Sequence, residues 1–283
     1  MSDRIYITEC PRDAMQGIHD WIDTSLKINY INDLLKCGFD TLDCGSFVSP
    51  KAIPQMRDTA EVLNALDESP TKLLTIVANE RGAEDAAKFE QVHFLGYPFS
   101  ISETFQLRNT NATIEESLKR VEAISEICVK SKKDLVLYLS MGFGNPYGDA
   151  WSDELVAEWS DRLINLFPVS RLSLSDTIGA ATPELVKKVF TTSSSIANVT
   201  ISAHLHTLPE NARALTQAAY EGGCRNFEGA IKGFGGCPMA KDDLTGNMPT
   251  EQMLDWFKAN NIETGVDAAA FSHAFVTSSS VFH

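Results

Sequence analysis

The sequence predicts an α/β protein, a closed (β/α)8 TIM barrel forming one domain over residues 1–283 with an extra C-terminal helix. Three observations predict it. Strand-like and helix-like runs alternate eight times along the chain, the pattern of a parallel sheet with helical crossovers. No glycine-rich dinucleotide fingerprint follows the first strand, which argues against an open doubly wound sheet. The residues with the most chemistry to offer all follow the C-terminal ends of strands, the rim where this fold places its sites.

Each element has its own signal. RIYITEC (4–10) is a β-branched run, and the helical stretch 24–37 after it stops at Gly38, a residue suited to a helix C-terminus. TLDCGS (41–46), KLLTIV (72–77) and QVHFLG (91–96) read as strands two to four, with helices at 55–67, 80–89 and 112–132. DLVLYLS (134–140) precedes a helix at 152–166 that starts on Ser152, and RLSLS (171–175) precedes one at 182–192 that starts on Thr182-Pro183. VTISAHLH (199–206) and RNFEGA (225–230) are strands seven and eight, followed by helices at 209–222, with Gly222 at its end, and at 250–260, with Thr250 at its start. The remaining segment, VDAAAFSHAFVTSSSV, reads as the extra helix on the outside or bottom of the barrel.

Composition narrows the function. The net charge of −14 argues against nucleic acid as a partner, since phosphate contacts need an excess of Lys and Arg. A polyanionic ligand would need a local basic patch, for which Lys51, Arg57, Lys232 and Lys241 are candidates. No stretch reaches the roughly 18 apolar residues of a membrane span, so no membrane is expected. The start of the chain runs almost directly into a strand, and a cytoplasmic location is expected. Six cysteines without a CxxC pair predict neither a disulfide framework nor a zinc finger.

The candidate site collects at the rim. Alternation in a strand points His204 and His206 to one face, a pair of ready metal ligands. Asp13, after strand one, and Asn247, after strand eight, could add two oxygens, a set that suits Mg²⁺ or Mn²⁺ better than a closed zinc site. Arg12 offers a planar fork of donors for developing negative charge. Asp43 and Ser46 close strand two, and Asp43 competes with His204 for the role of general base. Asp176 either orients a histidine or bonds the backbone of its own turn. Cys237, in a Gly-Gly-Cys-Pro loop, is either a reactive thiol over the site or a buried filler. This set supports carbon–carbon cleavage or formation through a chelated hydroxyl and an enolate.

With PRDAMQ, SFVSPKAIPQM, NATIEES, SDTIGAATPELVK, AHLH, GFGGCP and TGNMPTE in hand, the chain resembles the 3-hydroxy-3-methylglutaryl-CoA lyase family over nearly its whole length. The resemblance implies a divalent-metal-dependent lyase that cleaves 3-hydroxy-3-methylglutaryl-CoA to acetyl-CoA and acetoacetate. It implies Asp13, His204, His206 and Asn247 as metal ligands and Arg12 as the enolate-stabilising arginine. His204 takes the proton-transfer role, and Cys237 is the loop cysteine. Gln16, Ser173, Asp176, Thr177 and Glu251 lie near the site, with an acyl-CoA as substrate and a homodimer as the assembly. The chain departs from the family at Asp43, where Glu is usual, at Ala14 to Ile18, at Thr207, at Asp242 and Asp243, and at NFEGA after strand eight. Those departures surround the acyl and CoA sites. They leave open another 3-hydroxyacyl-CoA or 3-hydroxy acid, a Schiff-base aldolase at Lys232, or a metal-binding barrel without turnover.

Overall fold

Eight parallel strands close on themselves in chain order, β1 pairing with both β2 and β8. The computed structural model describes residues 4–193, 196, 198–236 and 245–282. The strands are β1 Tyr6–Glu9, β2 Thr41–Ser46, β3 Lys72–Ile76, β4 Val92–Ser100, β5 Asp134–Ser140, β6 Val169–Asp176, β7 Thr200–Leu205 and β8 Asn226–Gly229. The predicted barrel is therefore present, and β2 and β5 have the predicted bounds. β4 runs to Ser100, past the predicted end at 96, pairing with β5 as far as Ser140.

The predicted helices are all present: α2 Thr24–Leu35, α3 Thr59–Asn64, α4 Glu80–Ala87, α6 Ile114–Ser131, α7 Asp153–Leu166, α8 Pro183–Ser193, α9 Ala212–Glu221 and α10 Thr250–Ala259. Two short helices were not predicted, α1 Pro11–Gln16 and α5 Glu103–Thr110. The predicted stretch 55–67 is split by a one-turn 3-10 segment, Pro54–Met56, before α3. Ser152 caps α7 by accepting from the Leu155 N–H at 3.1 Å. Gly38 takes a φ of +79°, but at the end of α9 that left-handed role falls to Gly223 (φ +100°) and not to Gly222. The extra helix, α11 Ala268–Thr277, packs on the outside against α2, with Phe271 edge-on to Phe39.

Two apolar clusters hold the layers. The larger fills the space between barrel and helices, and a small one, Leu74, Ile76, Phe94, Val136 and Tyr138, lies apart from it on β3–β5. The opposite half of the barrel interior is polar. Arg171 reaches across from β6 to the hydroxyls of Thr8 and Thr41, and Ser173 donates across to Glu228 on β8. Barrel interiors are usually layers of branched apolar residues. A half-polar interior marks this one as built to hold charge under its C-terminal rim.

Thr250, read from sequence as a cap, instead donates to Glu9 Oε2 at 2.5 Å, while Glu9 Oε1 accepts from the Ile231 N–H at 2.7 Å. Glu9 thereby ties β1 to the loop after β8 and to α10. Burial pushes its carboxyl up to about 8, against the lowering effect of these two bonds. A pKa raised in the folded state favours folding fully below the unfolded value and loses that contribution as pH rises toward 8. Glu9→Gln, which keeps the shape, is expected to flatten the fall in stability between about pH 5 and 8. Urea unfolding across that range checks it; parallel curves for both proteins would remove Glu9 from the account.

Candidate functional site

The turn from β1 into α1 places the first cluster. Pro11 begins the helix, where its missing N–H costs nothing. Arg12, Asp13 and Gln16 meet on its surface, Gln16 lying four and three residues on from the other two, within reach of both. Arg12 Nη1 donates to Asp13 Oδ1 and to Gln16 Oε1, both at 2.9 Å, and Gln16 Nε2 donates to Asp13 Oδ1 at 2.5 Å. Arg12 Nε donates to both oxygens of Asp43 at 3.1 and 3.0 Å, and Nη2 donates to Asp43 Oδ2. A guanidinium has five N–H groups; these partners take four and leave one on Nη2, on a residue that lines the main cavity.

Strand seven supplies the imidazoles. His204 lies within β7 and His206 one residue past its end, their ring centroids 5.2 Å apart. His206 is held by its own N–H to the Asp176 carbonyl and by an antiparallel bridge to Asn247, which brings the loop after β8 over the site. His204 Nδ1 is 3.2 Å from Glu228 Oε2, and His206 Nδ1 is 3.2 Å from the Thr177 carbonyl. With Nδ1–H donating on both neutral rings, Nε2 is left with the lone pair that can ligate a metal. His206 Nε2 is buried and has no hydrogen-bond partner among the described residues, an orphan a cation would satisfy. Asp13, His204 and His206 each bring one donor atom within 4.8 Å of the others, a spacing that fits a single divalent ion. Asn247 also reaches the cluster, but its Nδ2 faces Asp13 Oδ2 at 2.7 Å and the Phe234 carbonyl at 2.9 Å. To offer oxygen its amide would have to turn over.

Charge at the site follows from these contacts. Burial alone would raise Asp13, but the Arg12 charge and the two histidines outweigh it and hold the carboxyl well below its usual range. Asp43 is the opposite case, since burial pushes it up to about 6 despite Arg12. At neutral pH the Arg12–Asp43 pair is ionised. Burial would likewise raise Glu228, yet the His204 bond and charge bring it down to about 2. Glu228 raises His204 in return, overcoming the lowering effect of burial.

The other predicted residues divide. Gln16, Ser46 and Thr177 line a cavity of about 140 Å³ with Arg12, Asp13 and both histidines. Val48, Ile53, Ile76, Pro98 and Phe105 form its apolar side. Asp43, weighed as a base, is wholly buried and spent on Arg12. Asp176 does not orient a histidine through its carboxylate, which accepts instead from the N–H groups of Ile178, Ala180 and Ala181 in its own turn. Ser173 is buried beneath the site, donating to Glu228 at 2.7 Å, and Glu251 accepts from the Lys232 N–H at 2.9 Å, outside the cavity lining. Lys232 Nζ reaches Ser279 at 2.6 Å over the Phe275 ring, which removes it as a Schiff-base lysine in this cavity. Arg57 stacks on Trp21. Cys237, Lys241, Asp242 and Asp243 lie outside the described residues.

Two residues near the site were missed. Tyr138 packs edge-on to His204 with centroids 5.5 Å apart, its buried hydroxyl without a partner among the described residues. Glu228 fixes His204 from below. A lone acid inside the β8 run was the available signal.

Comparison with known proteins then converges. The HMGL-like family model matches residues 4–275. A hydroxymethylglutaryl-CoA lyase of Bacillus subtilis is 35% identical over 262 residues, covering 90% of this chain and 85% of that protein. A 3-hydroxy-3-isohexenylglutaryl-CoA/hydroxy-methylglutaryl-CoA lyase of Pseudomonas aeruginosa is 31% identical over 265 residues, covering 93% and 88%. The solved structure of an HMG-CoA lyase from Acinetobacter baumannii, in complex with coenzyme A and 3-methylmalate, superposes with a TM-score of 0.93 at 30% identity, covering 100% of this chain and 93% of that one.

Proposed function

This chain belongs to the HMGL-like family of carbon–carbon lyases, and from that premise we propose that it is a divalent-metal-dependent enzyme cleaving 3-hydroxy-3-methylglutaryl-CoA to acetyl-CoA and acetoacetate. The observation that carries this reading is the convergence of Asp13 and two Nε2-free imidazoles beside Arg12 at the mouth of one cavity. A bound Mg²⁺ or Mn²⁺ would supply Lewis acidity toward the oxygens of the substrate. Asp13, His204 and His206 are the residues to hold it, with Asn247 joining if its amide turns.

The chain's own groups account for the rest. The substrate's C2–C3 bond breaks, its 3-hydroxyl proton leaves, and C2 becomes the enolate carbon of acetyl-CoA. Arg12 is pinned on four N–H groups and so presents the fifth without reorganising, which suits an oxyanion that develops only in the transition state. His204 takes or returns the proton only when its Nε2 is off the metal, with Glu228 holding the ring at Nδ1 and favouring its charged form. Gln16 fixes Asp13 and Arg12 relative to one another.

The test is a cleavage assay with Mg²⁺ and the acyl-CoA. Acetoacetate release abolished by EDTA and restored by added metal is the expected result. No product with any of several divalent metals, under reducing conditions, would remove this substrate. The apolar wall of Val48, Ile53, Ile76, Pro98 and Phe105 favours a second reading, the same cleavage of a 3-hydroxyglutaryl-CoA with a larger branch at C3. A series of lengthening C3 substituents decides, since this reading requires kcat/KM to rise beyond methyl.

A further inference from the structure

Beneath the catalytic set lies a second group of metal-ligating atoms that nothing above employs as a site. Cys10, His204 and Glu228 each bring one donor atom within 4.8 Å of the others, and all three residues are buried. They come from neighbouring strands. Cys10 follows β1, Glu228 is on β8 and His204 on β7, and β8 pairs with both others.

The donor set differs in kind from the one above it. Sulfur, imidazole nitrogen and one carboxylate oxygen suit Zn²⁺ and other thiophilic ions, whereas the upper, oxygen-richer set suits Mg²⁺ or Mn²⁺. The geometry is already close to that of ligation. His204 Nδ1 and Glu228 Oε2 are 3.2 Å apart, near the roughly 3.3 Å between two ligands each about 2.0 Å from a tetrahedral ion. Glu228 is oriented from its other oxygen, since Ser173 and Ser202 both donate to Oε1, at 2.7 and 2.6 Å. That leaves Oε2 as the atom turned toward the histidine. Locally, charge also favours a cation. The carboxylates of Glu228, Asp43 and Asp13 lie close to the Cys10 thiol, and a divalent ion among them favours the thiolate.

We propose that Cys10, His204 and Glu228 form a second, thiophilic metal site below the catalytic set and joined to it through the His204 ring. On binding Zn²⁺, Sγ–H loses its proton to solvent, the Nδ1 proton passes to Nε2, and the ion bonds Sγ, Nδ1 and Glu228 Oε2, so that an ion above must displace the Nε2 proton. The ring then has a cation on Nδ1 where it had an anion's hydrogen bond. Zn²⁺ below therefore weakens Mn²⁺ binding above, and by linkage the reverse holds equally.

The test uses the whole chain, stripped of metal and reduced. Titration with Co²⁺ is expected to give a thiolate-to-cobalt charge-transfer absorption that Cys10→Ala abolishes. Chelator competition is expected to show Cys10→Ala losing at least ~100-fold in Zn²⁺ affinity, the upper end of what even outer-shell changes cost. Mn²⁺ affinity without Zn²⁺ should stay unchanged, and stoichiometric Zn²⁺ should weaken Mn²⁺ binding in the parent protein alone. No charge-transfer band in the parent, a band surviving in Cys10→Ala, or equal Zn²⁺ affinities would each overturn the site. If Cys10→Ala does not fold, Cys10→Ser serves the same comparisons, and the parent's Co²⁺ spectrum is read without any variant. None of these readouts depends on which acyl-CoA is cleaved.

Discussion

An Arg12→Met variant should lose at least ~1,000-fold in kcat and should also unfold more readily. The rate effect follows from removing the one arginine or lysine that lines the cavity among the described residues, where loss of a single preorganised donor costs about 100- to 1,000-fold and Arg12 contributes charge as well. The stability effect has a separate origin. Asp43 is wholly buried with Arg12 as its partner, and breaking a buried pair typically costs about 3–5 kcal/mol because the remaining charge is uncompensated. Because burial already lifts Asp43 to about 6, the single variant relieves part of that cost by protonating it. Losing Arg12 raises Asp43 further, so the deficit should shrink as pH falls toward 6 and level off below it, where Asp43 of the parent protonates as well. Arg12→Met with Asp43→Asn is expected to recover most of the stability and none of the activity. Denaturant curves and single-turnover kinetics on the three proteins check both halves. Activity returning with stability would show that Arg12 serves only to neutralise Asp43.

His204→Ala is expected to slow turnover at least ~100-fold, the scale for lost proton transfer combined with a lost ligand. Its effect should separate from that of Glu228→Gln. Glu228 touches His204, Ser173 and Ser202 and does not line the cavity. The amide keeps an oxygen for the serines but loses the charge that favours imidazolium. We expect Glu228→Gln to weaken Mn²⁺ binding by about 10- to 100-fold, as changes to ligand-orienting residues do, with activity largely restored at saturating metal. His204→Ala should stay slow at any metal concentration. Metal titrations of steady-state rate distinguish the two; identical behaviour would remove proton transfer from the role of His204.

Much of the barrel was legible because its strands carry short β-branched runs with clear boundaries, and β2 and β5 coincide with their predicted ranges. What escaped was short or non-local. α1 spans six residues, too few for a periodic signal, and α5 follows β4 with only Ile101 and Ser102 between. At the site, Arg12, Asp13, His204 and His206 were readable from strand alternation and from their position on the rim. The pairing of Asp43 with Arg12, 31 residues away, is one that no local pattern reports. Glu228 was passed over for the same reason, its serine partners lying on two other strands. Asp176 resolved to the local alternative, a carboxylate bonding its own turn, as short acidic side chains commonly do.

The central claim is tested most directly by anomalous diffraction from crystals of the intact chain soaked with Mn²⁺. The account predicts one strong peak at the barrel mouth, within about 2.0–2.3 Å of an Asp13 oxygen and of Nε2 on both His204 and His206. Density at saturating Mn²⁺ that leaves those three groups unliganded, or a peak bound only to other residues, would contradict it.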